Sequence, residues 1–358
     1  MWVRQLTYGM IPGDAISNDV LEIDARLRAW GLETAIYAQH IAPELAARAQ
    51  PDESLIRQLG SPDEHLIYHY SIYSPNLRQF RAARGRRLLI YHNITPPQFF
   101  HGWDAQIEMQ CDIGRRALSG LVGCDLALGV SDYNRRELIA AGFAAERTGI
   151  LPIFLTQRSN VAAAEDLLGR LREPGVVNWL TVGRVVPHKA IEQVIRVFYV
   201  YQGCISPQAH LHAVGSRYVR AYAQALDDLV VSLGLAQHVT FSGCVSEAAL
   251  AAYYQTADLY ITASLHEGFC VPLIECMHYG VPALARKAGA IPETLGSSGV
   301  LFTGLGYEQV AEMAHLMVTD ELLRAQIIRR QKERLQALGP ERAEAALRCA
   351  LERVGVRW

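Results

Sequence analysis

Ser264-Leu265-His266-Glu267-Gly268-Phe269-Cys270-Val271-Pro272-Leu273-Ile274-Glu275 is the stretch on which the reading of this chain turns. It places two carboxylates, Glu267 and Glu275, eight positions apart across a turn and a helix start. The run Ala257 to Ala263 ahead of it is short and mostly apolar, as a buried strand is. Pro272 and the apolar run closing at Gly280 read as a helix with proline in its first turn and glycine just past its end. The stretch therefore spans a strand-to-helix turn. In an open α/β sheet that edge binds ligands, because backbone N–H groups at a helix start carry a partial positive charge, and Gly268, Phe269, Cys270, Val271 and Leu273 occupy that place here. Such a cradle suits phosphate.

Moving towards the N-terminus, Val177 to Val182 reads as a strand, and Ile191, Val194, Ile195 and Phe198 give the next helix one apolar face. Between them lies Gly183-Arg184-Val185-Val186-Pro187-His188-Lys189. Arg184 and Lys189 stand in a loop at the same sheet edge, where both can reach one diphosphate. The alternative, two surface cations near a helix start, opposes the helix dipole. Strands follow at Leu211 to Val214 and Val239 to Phe241, and Ser246 can cap a helix over Glu247 to Thr256.

The first half repeats the alternation. Strands are predicted at Val3 to Thr7, Thr34 to Tyr37, His65 to Tyr70, Leu88 to Tyr91, Asp125 to Val130 and Ile150 to Ile153, with helices between. Gly13 and Asp14 occupy the loop after the first strand, where they either meet a ligand or simply make a turn and a helix cap. His92 ends the Leu88 to Tyr91 strand, ahead of Pro96 and Pro97, in position for a ligand contact or for a structural hydrogen bond. Arg78, Arg81, Arg84, Arg86 and Arg87 could form one basic helical face, either solvated or docked on an anionic membrane. His65 with His69, and His210 with His212, share strand faces, but neither pair has a third metal ligand.

With Glu267 to Glu275 and Gly183 to Lys189 in view, the chain resembles the retaining glycosyltransferases of family 4, the group 1 glycosyltransferases. Their signature is Glu-Gly-Phe-Gly, one variable residue, proline, and a second glutamate eight positions after the first. A second signature is Gly-Arg followed by lysine five residues after the arginine. Cys270 departs from the usual glycine and makes the loop less permissive of unusual φ angles. The resemblance implies an α/β fold of GT-B architecture, two Rossmann-like doubly wound parallel-sheet domains facing a cleft. The expected division is an acceptor-side domain over 1–160, a linker over 161–175, a nucleotide-sugar-binding domain over 176–338, and a last helix over 339–358 returning to the first domain.

The same resemblance implies roles. Arg184 and Lys189 bind the diphosphate, the Val245 loop lies by the base, Glu275 takes the ribose hydroxyls, and the Gly13-Asp14 loop faces the donor phosphates. Glu267 stabilises positive charge near the anomeric carbon, and His92 lies beside the sugar ring. The reaction implied is transfer from a nucleoside diphosphate sugar, GDP-mannose ahead of a UDP-sugar, to a hydroxyl of a saccharide or lipid-linked acceptor, with retention. No Asp-x-Asp occurs in the sequence, so neither a metal nor another cofactor is expected.

Composition sets the outer limits. The chain has 358 residues, 50% of them hydrophobic, enough for two cores. A formal charge of −2 offers no basic excess for nucleic acid. Seven cysteines without a CxxC pair suggest no zinc ribbon or disulfide framework and fit a reducing compartment. No run of 18 apolar residues and no leader pattern is seen, so a cytoplasmic protein, peripheral at most to the membrane's inner face, is expected. A dehydrogenase lacks its glycine fingerprint here. Two rivals stay open: an epimerase or phosphorylase on the same fold, and a non-catalytic nucleotide-sugar-binding subunit.

Overall fold

The computed structural model describes residues 1–58, 63–154 and 161–357. The chain forms two compact units, one of Met1–Gln98, Ala105–Thr156 and Leu338–Trp358, the other of Phe99–Asp104 and Gln157–Ala337. The fold is α/β, with a parallel sheet in each unit.

In the first unit the strands are β1 (Trp2–Met10), β2 (Glu33–Ile41), β3 (Gln50–Pro51), β4 (His65–Tyr70), β5 (Arg86–Tyr91), β6 (Leu126–Gly129) and β7 (Thr148–Ile150). They lie side by side in the order β3-β2-β1-β4-β5-β6-β7, all pairs parallel. Every residue of β4 is buried, as expected of a central strand covered on both faces. The order reverses between β1 and β4, and at such a switch point the two crossovers leave on opposite faces and open a crevice at the strand ends. The predicted strands are present, with ends shifted by up to four residues. β3 escapes a sequence reading because it is two residues long and ends in proline.

One expectation fails in this unit. The five arginines do not share a helical face, because the helix Leu77–Ala82 ends before Arg84 and Arg86 opens β5. Apolar Leu88 to Tyr91 pulls that segment into the sheet, where Arg86 pairs with Asp125 at 2.8 Å and Arg87 donates to the Gly123 carbonyl at 2.8 Å. His65 and His69 lie four residues apart in the regular strand β4, on one face of it, and His65 Nε2 bonds the Val354 carbonyl at 3.1 Å. That bond ties β4 to the end of the helix Pro340–Arg353, within the same unit.

The second unit holds β8 (Asn178–Val182), β9 (His210–Val214), β10 (Val239–Gly243), β11 (Leu259–Thr262), β12 (Ala283–Arg286) and β13 (Val300–Phe302). Their order is β10-β9-β8-β11-β12-β13, again parallel, with the reversal between β8 and β11. Trp179 on β8 is fully buried against Phe198 and Tyr201 of the helix Ile191–Cys204. The expected linker over 161–175 is not open chain. It contains a helix, Glu165–Leu171, and the Ala164 N–H donates to the Ala248 carbonyl at 2.9 Å, so the segment is built into this unit. The expected end of the first domain at 160 lies outside the described residues. Phe99–Asp104 clusters with this unit too, the Phe99 ring standing 6.3 Å from those of His188 and His266.

Asp14 is the N-cap of the helix Ala15–Ala29, its carboxylate accepting from the N–H groups of Ile16 at 3.2 Å and Ser17 at 3.0 Å. Gly13 precedes it at φ +76°. Asp14→Ala is expected to cost about 1 kcal/mol of stability in urea unfolding, the usual loss for such a cap. An unchanged midpoint would show that the cap carries no stability.

Candidate functional site

Because the sheet of the second unit reverses between β8 and β11, the loops leaving these neighbours face one another at the strand ends. One is Gly183 to Lys189 and the other contains Glu267. Lys189 Nζ donates to Glu267 Oε1 at 2.5 Å, with the side chains only 18% and 9% exposed. Burial alone would lower the lysine pKa, but the Glu267 carboxylate outweighs it and holds the ammonium above its ordinary value. Lys189 is thus a fixed cation. Gly183 beside it adopts φ +145°, a conformation that favours glycine. A pocket opens on the lysine's side, lined by Gly183, Arg184, Lys189, Val214 and Thr262 among others.

Arg184 is exposed and extends over the Tyr218 ring, its guanidinium carbon 5.5 Å from the centroid. The intervening His188 is buried and uncharged, its pKa pushed well below the usual range by burial first and by Lys189 and Arg184 beside it. Glu267 is held on its other side by the backbone. The Ala290 N–H donates to the Glu267 carbonyl at 2.9 Å, and Gly289, at φ +51°, packs so closely that a Cβ would meet that carbonyl oxygen at 2.4 Å. The positive φ and close approach give Gly289 a definite task.

Cys270 precedes the helix Val271–Tyr279 at φ +70°. The departure from glycine therefore does not change the turn, and a non-glycine residue bears the left-handed conformation, at a cost of about 1–2 kcal/mol. Thr294 Oγ1 donates to the Phe269 carbonyl and pins the same turn. Glu275 does not sit in the helix's first turn as a dipole partner. It is buried further along and accepts from Tyr254 Oη at 2.8 Å. Burial and this carboxylate raise the Tyr254 pKa well above its ordinary value, which keeps the phenol a donor. Tyr254 carries no motif, so its role was not visible in the sequence. Val245 lies half-buried in the loop after β10.

In the first unit His92 follows β5 and is 8% exposed. Its Nε2 is 3.0 Å from His69 Nδ1, and His69 Nε2 is 2.9 Å from Gln5 Oε1. Burial lowers the His92 pKa to about 3. Asp19 lies beside them, its carboxyl raised to about 7 chiefly by burial, and it accepts from the Phe154 N–H at 2.8 Å. One ligand atom from each of Asp19, His69 and His92 falls within 4.8 Å of the others, although the bonds just described already engage all three side chains. His212 Nε2 is 2.9 Å from Asn178 Oδ1 on the neighbouring β8.

Comparison with known proteins bears on the second unit first. Residues 175–334 match the family model for glycosyl transferases, group 1. The motif at 183–189 and the one at 264–275 both fall inside this group 1 segment. Among curated proteins, the GDP-mannose-dependent alpha-(1-6)-phosphatidylinositol monomannoside mannosyltransferase of Mycobacterium tuberculosis is 27% identical over 209 residues, 55% of this chain and 53% of that protein. The MMP alpha-(1->4)-mannosyltransferase of Mycolicibacterium hassiacum is 38% identical over 73 residues, 20% of this chain and 18% of that protein. The chain thus spans about half, or less, of the length of these two relatives. Among solved structures, Anabaena HepE in complex with UDP-glucose superposes with a TM-score of 0.77 at 19% identity, covering 98% of this chain and 99% of that one. The fold is that of the GT-B glycosyltransferases. Among the described residues no helix is long and apolar enough to cross a membrane.

Two outcomes follow from this geometry. Gly289→Ala should lose more stability than Gly234→Ala, which also has positive φ but nothing within 4 Å of its Cβ. The control is expected to cost about 1 kcal/mol, and the excess measures the clash with Glu267; equal losses in urea unfolding would remove it. The second concerns pH. A histidine neutral in the fold down to pH about 3 takes up a proton when unfolded below its ordinary pKa of 6.5. His92 therefore contributes stability that is complete above pH about 6.5 and is lost as pH falls from there towards 3. By pH 5 the loss is about 2 kcal/mol, so His92→Asn should show a smaller drop in Tm between pH 7 and pH 5 than wild type. An identical drop would show that His92 is not shielded.

Proposed function

We propose that the protein is a retaining glycosyltransferase that moves a sugar from a nucleoside diphosphate sugar to a hydroxyl of a saccharide or lipid-linked acceptor, without a metal. The observation that carries this reading is the Lys189–Glu267 contact at the β8/β11 switch point, inside the segment that matches the group 1 family. An ammonium has three donors. With one on Glu267, Lys189 keeps others for a phosphate, so a single side chain joins the group that meets the leaving diphosphate to the carboxylate that meets the sugar.

In the proposed reaction the C1–O bond to the diphosphate breaks while the acceptor hydroxyl attacks the same face of the anomeric carbon. The departing phosphate oxygen takes the acceptor's proton. Arg184, Lys189 and the N–H groups of Cys270 and Val271 gain strength as charge builds on that oxygen, which makes their contacts catalytic as well as binding, while the Leu273 N–H is held by the Cys270 carbonyl at 3.0 Å. Glu267 offsets positive charge on the sugar ring. Glu275, already fixed by Tyr254, takes the ribose hydroxyls, and the Val245 loop meets the base. The Gly13 N–H is kept for the donor phosphates, whereas Asp14 serves the helix start, its carboxylate as the cap and its N–H donating to the Ile11 carbonyl at 3.2 Å. His92 meets the sugar.

For the donor we favour GDP-mannose, the sugar nucleotide in the name of the M. tuberculosis relative; UDP-sugars come next, HepE having been solved with UDP-glucose. A cytoplasmic site of action is part of the same reading. Peripheral membrane contact would fall to Arg78, Arg81 and Arg84, the exposed members of the former five-arginine set that lie outside β5.

The test is a thermal-shift and turnover panel with GDP-, UDP-, ADP- and dTDP-sugars, with and without EDTA. A donor at 100 times its Kd adds about 2.7 kcal/mol. One donor should stabilise wild type regardless of EDTA. Lys189→Ala should lose that shift, and Glu267→Gln should keep it while losing most turnover. No shift with any nucleotide sugar would favour the non-catalytic reading, and activity lost to EDTA and restored by manganese would overturn metal independence.

A further inference from the structure

Gln5, His69 and His92 form a chain of hydrogen bonds whose direction can be read from one end. Gln5 Nε2 donates to the Val20 carbonyl at 3.1 Å, which fixes the amide and turns Oε1 towards His69. An amide oxygen only accepts, so His69 Nε2 carries a proton. A neutral imidazole has one N–H, which leaves His69 Nδ1 as a bare acceptor. His92 Nε2, 3.0 Å away, must then be the donor in that bond. The two ring planes differ by 19°, so the His92 N–H and the His69 lone pair lie almost in one plane. By the same count, His92 Nδ1 is left without a proton. That atom is buried and has no hydrogen-bond partner in the structure.

All three side chains are at least nine-tenths buried, with exposures of 0% for Gln5, 1% for His69 and 8% for His92. The chain follows from the topology. Gln5 is on β1 and His69 on β4, neighbours at the sheet's reversal, and His92 comes directly after β5, its N–H bonded to the Tyr70 carbonyl at 2.9 Å. An unmatched acceptor buried at this edge costs about 1–3 kcal/mol, and a hydroxyl of a ligand is the kind of group that removes the cost.

We infer that Gln5 and His69 are positioning residues that lock His92 in the Nε2–H tautomer, so that His92 presents only an acceptor, Nδ1, to substrate and selects a group bearing an O–H. The hydroxyl is taken to be the sugar's, which rests on the transferase reading above. The lock itself does not. It distinguishes a sugar hydroxyl from a methoxy, fluoro or carboxylate group at the same place, since none of these can donate.

The experiment is long-range proton–nitrogen NMR on the full-length protein with 15N-labelled histidine, the His92 signal being assigned by its loss in His92→Asn. Wild type should show His92 with Nε2 protonated and Nδ1 bare. Gln5→Leu, close in size but without an acceptor, should let His92 populate the Nδ1–H tautomer, and Gln5→Glu, which restores an acceptor oxygen, should return it to Nε2–H. Deoxyfluoro analogues of the accepted donor then locate the contact. At one ring position the analogue should lose about tenfold or more in kcat/KM in wild type, and clearly less in Gln5→Leu. A proton on His92 Nδ1 in wild type overturns the inference even if Gln5→Leu proves unable to fold, and so does a tautomer unchanged in a folded Gln5→Leu. The NMR readout needs no substrate, so a failure of the transferase reading shows separately, as absence of turnover with every donor.

Discussion

The contact between Lys189 and Glu267 is the constraint on which the second unit's site is built. Two oppositely charged groups from loops 78 residues apart meet at 2.5 Å because their strands, β8 and β11, are neighbours at the place where the sheet order reverses. Removing one partner would leave a largely desolvated charge unmatched, a loss of about 3–5 kcal/mol for fully buried pairs. The surrounding backbone is arranged to keep the pair in place. Gly183 supplies a glycine-favouring φ on the lysine's side, and Gly289 and Ala290 press on the glutamate's own peptide.

The same topology operates in the first unit with different chemistry. There the reversal lies between β1 and β4, and the side chains drawn together are uncharged, Gln5 and His69 joined on to His92. Burial keeps both histidines neutral, so what this edge presents is hydrogen-bonding direction and not charge. One unit thus supplies cations suited to phosphate, and the other supplies a neutral acceptor suited to a hydroxyl.

Much of this was legible in the residues. Alternating apolar runs and helical periodicities gave the parallel sheets, and the Gly-Arg and Glu-Gly-Phe motifs marked the two loops that meet. Other features were not legible, for physical reasons that can be named. The arginine-rich run looked helical because its charges recur at helical spacing, but Gly85 and the apolar Leu88 to Tyr91 commit its second half to β5. The segment 161–175 looked like a linker from its Pro-Gly end, yet Leu168 is buried and draws it into the second unit. Tyr254, Gly289, His69 and Gln5 act through tertiary contacts to residues 21 to 64 positions away, and nothing local records such distances.

The most direct test of the central claim is a crystal structure with GDP-mannose or with GDP. The account expects a phosphate oxygen within hydrogen-bond distance of Lys189 Nζ, Arg184 turned from Tyr218 towards the diphosphate, and the ribose hydroxyls on Glu275. A nucleotide bound with its diphosphate away from Lys189, and the Lys189–Glu267 pair untouched by it, would contradict the account.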